Sequence, residues 1–375
     1  MRVVHLISGL DQGGAEAMLE KLLLTGRRMN PEIDQSVINL GQPGVVGNRL
    51  TRAGLLVESL GLKASPQSLK QLLHLAQRLR CHGRGIVVQT WLWHADLLGG
   101  LCARAGGNQR IVWNLRNAVP RRATTKLMSR AAAYTCARLS GWVPAKIVCN
   151  SEAALRAHTA IGYCPGKCVV IPNGFDLRQF VPSAEARRQV RASWNAKPGE
   201  AFVGMVARVD PLKDHPSFIR AADQVARSMP FVRFVLVGEG VLADSGIRTL
   251  LAQMNLTGRF VLEERRDDVQ GVMNALDVFC LASKSEGFPN VLGEAMACAT
   301  PAIVTDVGDA REIMGDDRFV AVVEDPTSLA ACIMRILALS PDERHALGSA
   351  QRLRIESRFD IEQVWRMYRD LYSSI

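Results

Sequence analysis

The sequence predicts an α/β protein of two similar domains, each a parallel sheet with helices on both faces. Three observations carry this. The chain has 375 residues, 48% of them hydrophobic, which is too long for one core. Short β-rich runs alternate with helix-periodic segments, the rhythm of strand–helix–strand units. That rhythm breaks once, at the polar stretch "PSAEARRQVRASWNAKPGE", and then restarts. The boundary falls near Asp176, giving domains 1–176 and 177–359.

In order, "RVVHLIS" reads as a first buried strand. The Gly-rich turn "GLDQGGAE" leads into the helix "AMLEKLLLTGRRM". There follow the strand "DQSVINL", a helix near 67–81, "GIVVQTW", a helix over 95–105, "QRIVWNL", a helix over 123–140, "AKIVCNS", a helix over 151–160 and "CVVIPNGF". The second series is "AFVGMVAR", helix 214–229, "VRFVLVGEG", helix 244–254, "RFVLEE", helix 269–276, "DVFCLAS", helix 290–298, "PAIVTDVG", "FVAVVE" and helix 326–339. Two more helices, 341–357 and 360–373, end the chain; the last is expected to close back onto the first domain. Strands this uniformly apolar fit a sheet covered on both faces. In such open sheets, ligands bind at the carboxyl ends of the strands, so two domains facing each other would leave a cleft.

Composition narrows the function classes. Charged residues make up 22% of the chain and no tract is of low complexity, which argues against disorder. The most apolar stretch, "IVVQTWLWHADLLGGLCA", is interrupted by Gln89, His94 and Asp96, so no membrane-spanning helix is expected. The N-terminal apolar run is too short for a signal peptide. A cytoplasmic protein is expected, with peripheral attachment to the cytoplasmic face of the inner membrane as a further expectation. The nine cysteines are scattered without a C-x-x-C pair, and no D-x-D is present, so neither disulfides nor a metal are expected.

The net charge of +10 is uneven. Residues 1–176 hold 22 Lys+Arg against 9 Asp+Glu, and residues 177–375 hold 24 against 27. The densest region runs from Arg104 to Arg156, where ten basic residues meet one acid, Glu152. Arg122, Lys126 and Arg130 share helical spacing there. Such a face suits an anionic membrane surface or an acidic ligand. Nucleic acid is not expected, because no aromatic platform or known module accompanies the charge.

Four stretches hold the candidate chemistry. In "KSEGFPNVLGEAMA", Glu286 lies in the loop after a strand and Glu294 in the first turns of a helix. Asn290 reads as the N-cap, which leaves the Val291 and Leu292 amides as an anion site. Two carboxylates accept hydroxyl protons from polyols such as a sugar and a ribose, with a phosphate on the amides between them. In "GMVARVDPLKDHPSF", Arg208 and Lys213 follow a strand and supply fixed positive charge for a diphosphate. In "SGLDQGGAEAML", Gly13 and Gly14 allow close backbone approach, although the stretch is not G-x-G-x-x-G and no acidic residue ends the second strand. In "TWLWHADLLGG", His94 follows a strand and opens a helix.

The E-x7-E pattern from Glu286 to Glu294, with Arg208, Lys213 and the Gly13–Gly14 turn, resembles the retaining glycosyltransferases of family 4, which have the GT-B fold of two Rossmann-like domains. Further matching stretches are "CNSEAALRAHTAIGY", "VIPNGFDLRQFVP", "LVGEG" and "RRDDV". The resemblance implies that Arg208 and Lys213 bind the donor diphosphate, that Glu286 contacts the transferred sugar and that Glu294 contacts the ribose. It also implies that Gly287, Phe288, Asn290, Val291 and Leu292 shape the pocket, and that Gly13 and Gly14 let the acceptor-side domain approach the phosphates. By the same resemblance His94 lies beside the reacting sugar, and Glu264 and Arg265 lie near the base. Four positions depart from the family pattern: Ala207, Asp214, Glu263 and Ala299 each stand where glycine is usual.

The expected reaction moves a sugar from a UDP- or GDP-sugar to a saccharide or lipid-linked saccharide with retained configuration. Neither metal nor cofactor takes part. Lipopolysaccharide, capsule or exopolysaccharide synthesis is the expected setting, and a monomer the expected state. Two rivals are a nucleotide-sugar epimerase of the same fold, against which the E-x7-E stretch argues, and a non-catalytic transferase-like binding protein, against which the intact charged set argues.

Overall fold

The computed structural model describes residues 1–11, 13–62, 66–81, 83, 85–116, 119–120 and 125–375. Arg121 and Arg122 of the basic run, and the expected start of a helix at 123, lie outside the described residues. The chain divides into two compact units, Met1–Gly174 with Ile361–Ile375, and Phe175–Asp360.

The first unit runs β1 (Arg2–Ile7), α1 (Gly14–Met29), β2 (Asp34–Asn39), α2 (Val45–Arg52), β3 (Leu56–Ser59), α3 (Pro66–Cys81), β4 (Val87–Trp91), α4 (Leu92–Ala105), β5 (Ile111–Leu115), α5 (Leu127–Leu139), β6 (Lys146–Cys149), α6 (Glu152–Ala160) and β7 (Cys168–Val170). Its seven strands are parallel, in the order β3-β2-β1-β4-β5-β6-β7. The period-two side-chain alternation of β1 sends Val3 and Ile7 into one apolar layer and Val4 and Leu6 into the other.

The second unit runs α7 (Ala184–Ser193), β8 (Ala201–Val206), α8 (His215–Ser228), β9 (Val232–Val237), α9 (Ser245–Gln253), β10 (Phe260–Glu263), α10 (Val269–Ala275), β11 (Val278–Leu281), α11 (Asn290–Ala297), β12 (Ala302–Thr305), α12 (Ala310–Met314), β13 (Val320–Ala321), α13 (Pro326–Leu337) and α14 (Pro341–Arg358). Its six strands are parallel, in the order β10-β9-β8-β11-β12-β13.

The last helix, α15 (Ile361–Ser373), completes the first unit. Its buried residues Ile361, Val364, Trp365, Tyr368, Leu371 and Tyr372 fall on one helical stripe. Gly26 of α1 makes room for it, since a Cβ there would lie 2.7 Å from the Trp365 ring. The Trp365 indole donates to Asn30 Oδ1 at 2.9 Å.

Several elements escape the sequence rhythm. α2 and β3 are short, and β3 is an edge strand. α7 lies inside the polar stretch at which the rhythm breaks. Arg187 and Arg191 of α7 reach Asp277 at 2.6 and 2.5 Å, so the helix is held by partly buried ion pairs, with Val190 its one buried residue, rather than by an apolar stripe. α12 spans only five residues, and only Val320–Ala321 of "FVAVVE" pairs as strand. α4 begins at Leu92, three residues before the expected start.

Candidate functional site

Each sheet reverses its strand order at one place, between β1 and β4 in the first unit and between β8 and β11 in the second. At such a point the loops from neighbouring strands leave in opposite directions and open a crevice at the carboxyl ends.

In the second unit, Arg208 and Lys213 follow β8, and the loop from Ser283 to Pro289 follows β11. The loop bends where Asp210 caps a short 3-10 turn by accepting the Leu212 N–H at 2.9 Å. That amide bond, opposed by burial and helped by Arg208, holds the Asp210 carboxyl below its ordinary range. Asp210 also takes Arg208 at 2.9 Å, which restrains a guanidinium that is otherwise largely exposed. Asp214 then adopts a left-handed conformation, φ 55 and ψ 50, and caps α8. Glycine is the usual residue for this geometry, but an aspartate tolerates it and here also accepts the Ser217 N–H at 3.3 Å.

The two loops meet through Lys213 and Glu286. The Lys213 ammonium lies 2.6 Å from Glu286 Oε1, across 73 residues of sequence, and both side chains are mostly buried. Ser283 Oγ donates to the same oxygen at 2.6 Å. The Lys284 N–H donates to the Leu212 carbonyl at 2.8 Å, which ties the loop backbones together. Thr305 on β12 donates to the Ser283 carbonyl at 2.6 Å.

The floor of this loop is packed tightly. Gly308 has φ +52, and a Cβ there would stand 2.4 Å from the Gly287 carbonyl oxygen and 2.5 Å from that of Glu286. The Asp309 N–H donates to the Gly287 carbonyl at 3.1 Å. Phe288 stacks on Phe175, with centroids 6.1 Å apart, and meets Phe359 at 6.0 Å. Gly293 of α11 lies against the Phe175 ring, 2.1 Å from where its Cβ would be.

At the start of α11 the expectation needs correction. Pro289, not Asn290, occupies the N-cap, and Asn290 is the first helical residue. A proline before the helix already fixes an extended entry. The Leu292 N–H is not free, because it donates to the Pro289 carbonyl at 3.2 Å. Val291 and Glu294 are half-buried in the first turns.

Glu264 lies at the end of β10 and clamps the Gly240 and Leu242 amides, each at 3.0 Å. Arg265 is exposed, 3.8 Å from Asp267. Glu263, where glycine is usual, accepts from the Trp194 indole at 3.0 Å and from Arg266 at 3.0 Å, so its carboxylate is used internally.

In the first unit, Gly13 is the extended N-cap of α1 after β1, and Gly14 its first residue. His94 is the third residue of α4 after β4. The turn into α4 passes through Leu92 at φ +71, a region costly for a branched side chain and concentrated at functional sites. Burial lowers the His94 pKa, which favours the neutral imidazole. The sequence reading therefore found the residues at both switch points. It missed the side chains that set them: Ser283, Thr305, Asp210 and Gly308. The S-x-x-E spacing of Ser283 and Glu286 was the one local signal for any of these.

Residues 200–338 match the family described as Glycosyl transferases group 1. Residues 13–179 match Glycosyltransferase Family 4. The chain is 31% identical over 193 residues to a D-inositol 3-phosphate glycosyltransferase of Segniliparus rotundus, covering 50% of this chain and 42% of that one. It is 28% identical to the Escherichia coli UDP-Gal:alpha-D-GlcNAc-diphosphoundecaprenol alpha-1,3-galactosyltransferase, covering 56% and 54%. The matches thus span about half the length of these relatives. The crystal structure of Anabaena HepE in complex with UDP superposes with a TM-score of 0.84 at 21% identity, with both chains fully covered. With one family matching each half, and with the two parallel sheets of the GT-B fold, the chain belongs to the group 1, family 4 glycosyltransferases.

Proposed function

We propose that the protein transfers a sugar from a UDP-sugar to a saccharide or lipid-linked saccharide with retention of anomeric configuration. The observation that carries this is the meeting of Lys213 and Glu286, 2.6 Å apart, at the β8/β11 switch point, with Arg208 on the same loop after β8. UDP is favoured over GDP because UDP stands in the names of the E. coli relative and the HepE complex. A lipid-linked acceptor is favoured by the same relative's diphosphoundecaprenol substrate. Polysaccharide synthesis is the corresponding setting.

In this reading the bond between the anomeric carbon and the leaving diphosphate breaks first, giving an oxocarbenium-like state. Arg208, Lys213 and the amide end of α11 stabilise the charge that grows on the diphosphate, without a metal. The acceptor hydroxyl attacks from the same face and passes its proton to a donor phosphate oxygen. Glu286 binds the sugar hydroxyls and Glu294 the ribose. Glu286, with Lys213 and Ser283 on one of its oxygens, is assigned to sugar binding rather than to the nucleophile role of glycosidase carboxylates. His94 and the Gly13–Gly14 turn serve the reacting sugar and the phosphates, and Glu264 and Arg265 the base.

Calorimetric titration of UDP and GDP in EDTA, on the wild type and on Arg208→Ala/Lys213→Ala, tests the donor site. UDP binding in EDTA that the double variant loses is the expected result. Binding only with a divalent cation, or unchanged in the variant, overturns it. The anomeric configuration of the product, read by NMR, tests retention.

A further inference from the structure

α5 carries an apolar stripe on its solvent side. Leu127 and Met128 are 73% and 74% exposed, and Tyr134 is 45% exposed. Ala131 lies between them on the exposed side, while Ala132, Ala133, Cys136 and Ala137 face the core. Beyond the end of the helix at Leu139, Trp142 is 56% exposed, with the Arg104 guanidinium 5.5 Å from its ring centre. Over 13 residues the helix is about 20 Å long, so these large side chains form one edge rather than scattered exposures.

Cations flank the stripe. Lys126 and Arg138 are exposed and Arg130 half-buried, and among the described residues none of the three is held in an ion pair. Glu152 is the only acidic residue between Arg104 and Arg156. An exposed apolar edge rimmed by uncompensated positive charge is the composition of a helix that lies in a bilayer interface. Trp and Tyr sit at headgroup level, and Lys and Arg reach lipid phosphates. A second copy of the chain would bring like charges together. A polyanion without hydrocarbon would leave Leu127 and Met128 in water.

We propose that α5 with Trp142 is a docking surface for an anionic lipid bilayer, with Leu127 and Met128 entering the acyl boundary. This deepens the lipid-linked-acceptor reading and rests on it, since it brings the enzyme to where such an acceptor lies.

The test uses a property of this chain. Of its six tryptophans, Trp91, Trp93, Trp113, Trp194 and Trp365 are at most 5% exposed, so only Trp142 meets solvent. The full chain is floated with phosphatidylcholine vesicles, with and without phosphatidylglycerol, some carrying brominated acyl chains. Binding to the anionic vesicles with quenching of the Trp142 emission is expected. Leu127→Ser/Met128→Ser lowers the partition coefficient by at least about tenfold, and Lys126→Gln or Arg138→Gln by roughly fivefold each. Circular dichroism and turnover of a water-soluble acceptor analogue stay at wild-type levels in these variants.

Absence of a preference for anionic vesicles overturns the proposal, as does binding that leaves Trp142 unquenched. Protection of Trp142 that rises with protein concentration without lipid overturns it too, and assigns the edge to a second copy. Failure of the transferase reading is separate: it appears as lost UDP binding in calorimetry, which the vesicle assay does not measure.

Discussion

Glu286 receives Lys213 and Ser283 on one oxygen, Oε1. Those two contacts orient the carboxylate for the sugar contact proposed for it. Glu286→Ala is expected to cut turnover by roughly 100-fold through misplacement of the sugar, with the UDP dissociation constant nearly unchanged. Equal losses in both, measured by steady-state kinetics and calorimetry, would refute the assignment to the sugar. Ser283→Ala removes one hydrogen bond and should lower kcat about tenfold, with Ser283→Thr restoring part of it. A loss confined to the KM for the donor would instead assign Ser283 to phosphate binding.

At the scale of elements, α11 ends in a pattern that explains one departure from the family. Ala299 has φ +56. Its N–H donates to the Met296 carbonyl at 2.9 Å, and the Thr300 N–H to the Ala295 carbonyl at 3.1 Å. This is the Schellman ending, whose left-handed residue is usually glycine. Ala299→Gly relieves the left-handed strain at the cost of a looser unfolded chain, and is expected to add about 0.5–1 kcal/mol of stability in denaturant titration. Gly308→Ala acts in the opposite sense. Its Cβ would enter the space of the Glu286 and Gly287 carbonyl oxygens, so a loss of about 1–3 kcal/mol is expected, with a raised donor KM. Wild-type stability and kinetics in that variant would show that the loop floor is not tight.

At the scale of the molecule, α15 belongs to the first unit although 186 residues of the second precede it. Trp365, Tyr368 and Tyr372 are completely buried there, and losing such side chains costs about 3–5 kcal/mol each, against a domain stability of about 5–15 kcal/mol. A chain ending at Asp360 should lose amide protection in residues 1–174 and keep it in 175–360, which hydrogen exchange resolves.

Among the titrating groups that the same unit buries are Asp96 and His5. Asp96 accepts from Thr90 at 2.5 Å, but burial dominates and raises its pKa from 3.8 to about 8. Between those values the folded state holds a proton that the unfolded state has lost, so this group's stabilisation falls as pH rises from about 4 to 8. Asp96→Asn should raise the Tm at pH 8 and leave it near wild type at pH 4. His5 is lowered by burial from 6.5 to about 3, against a raising contribution from Gln35. The unfolded state therefore takes up the proton first, and stability falls on acidification from pH 6.5 to 3. His5→Gln should flatten that acid limb in a thermal melt. An unchanged pH profile in either variant would contradict its assignment.

Strand and helix order, the switch-point residues and the family were legible in the sequence because they are local. Buried parallel strands are uniformly apolar, and Arg208, Lys213, Glu286 and Glu294 stand in a fixed order along the chain. What the sequence reading lost were elements whose stability is not local: α7, held by Asp277 rather than by its own apolar face, and β3, a four-residue edge strand that owes its existence to β2. The meeting of Lys213 with Glu286 and the seat of the loop on Gly308 were decided only by tertiary structure. Both depend on β8 lying beside β11 and β12 beyond it. Spacing along a chain records which residues are present at the strand ends; the order of strands in the sheet sets which of them touch.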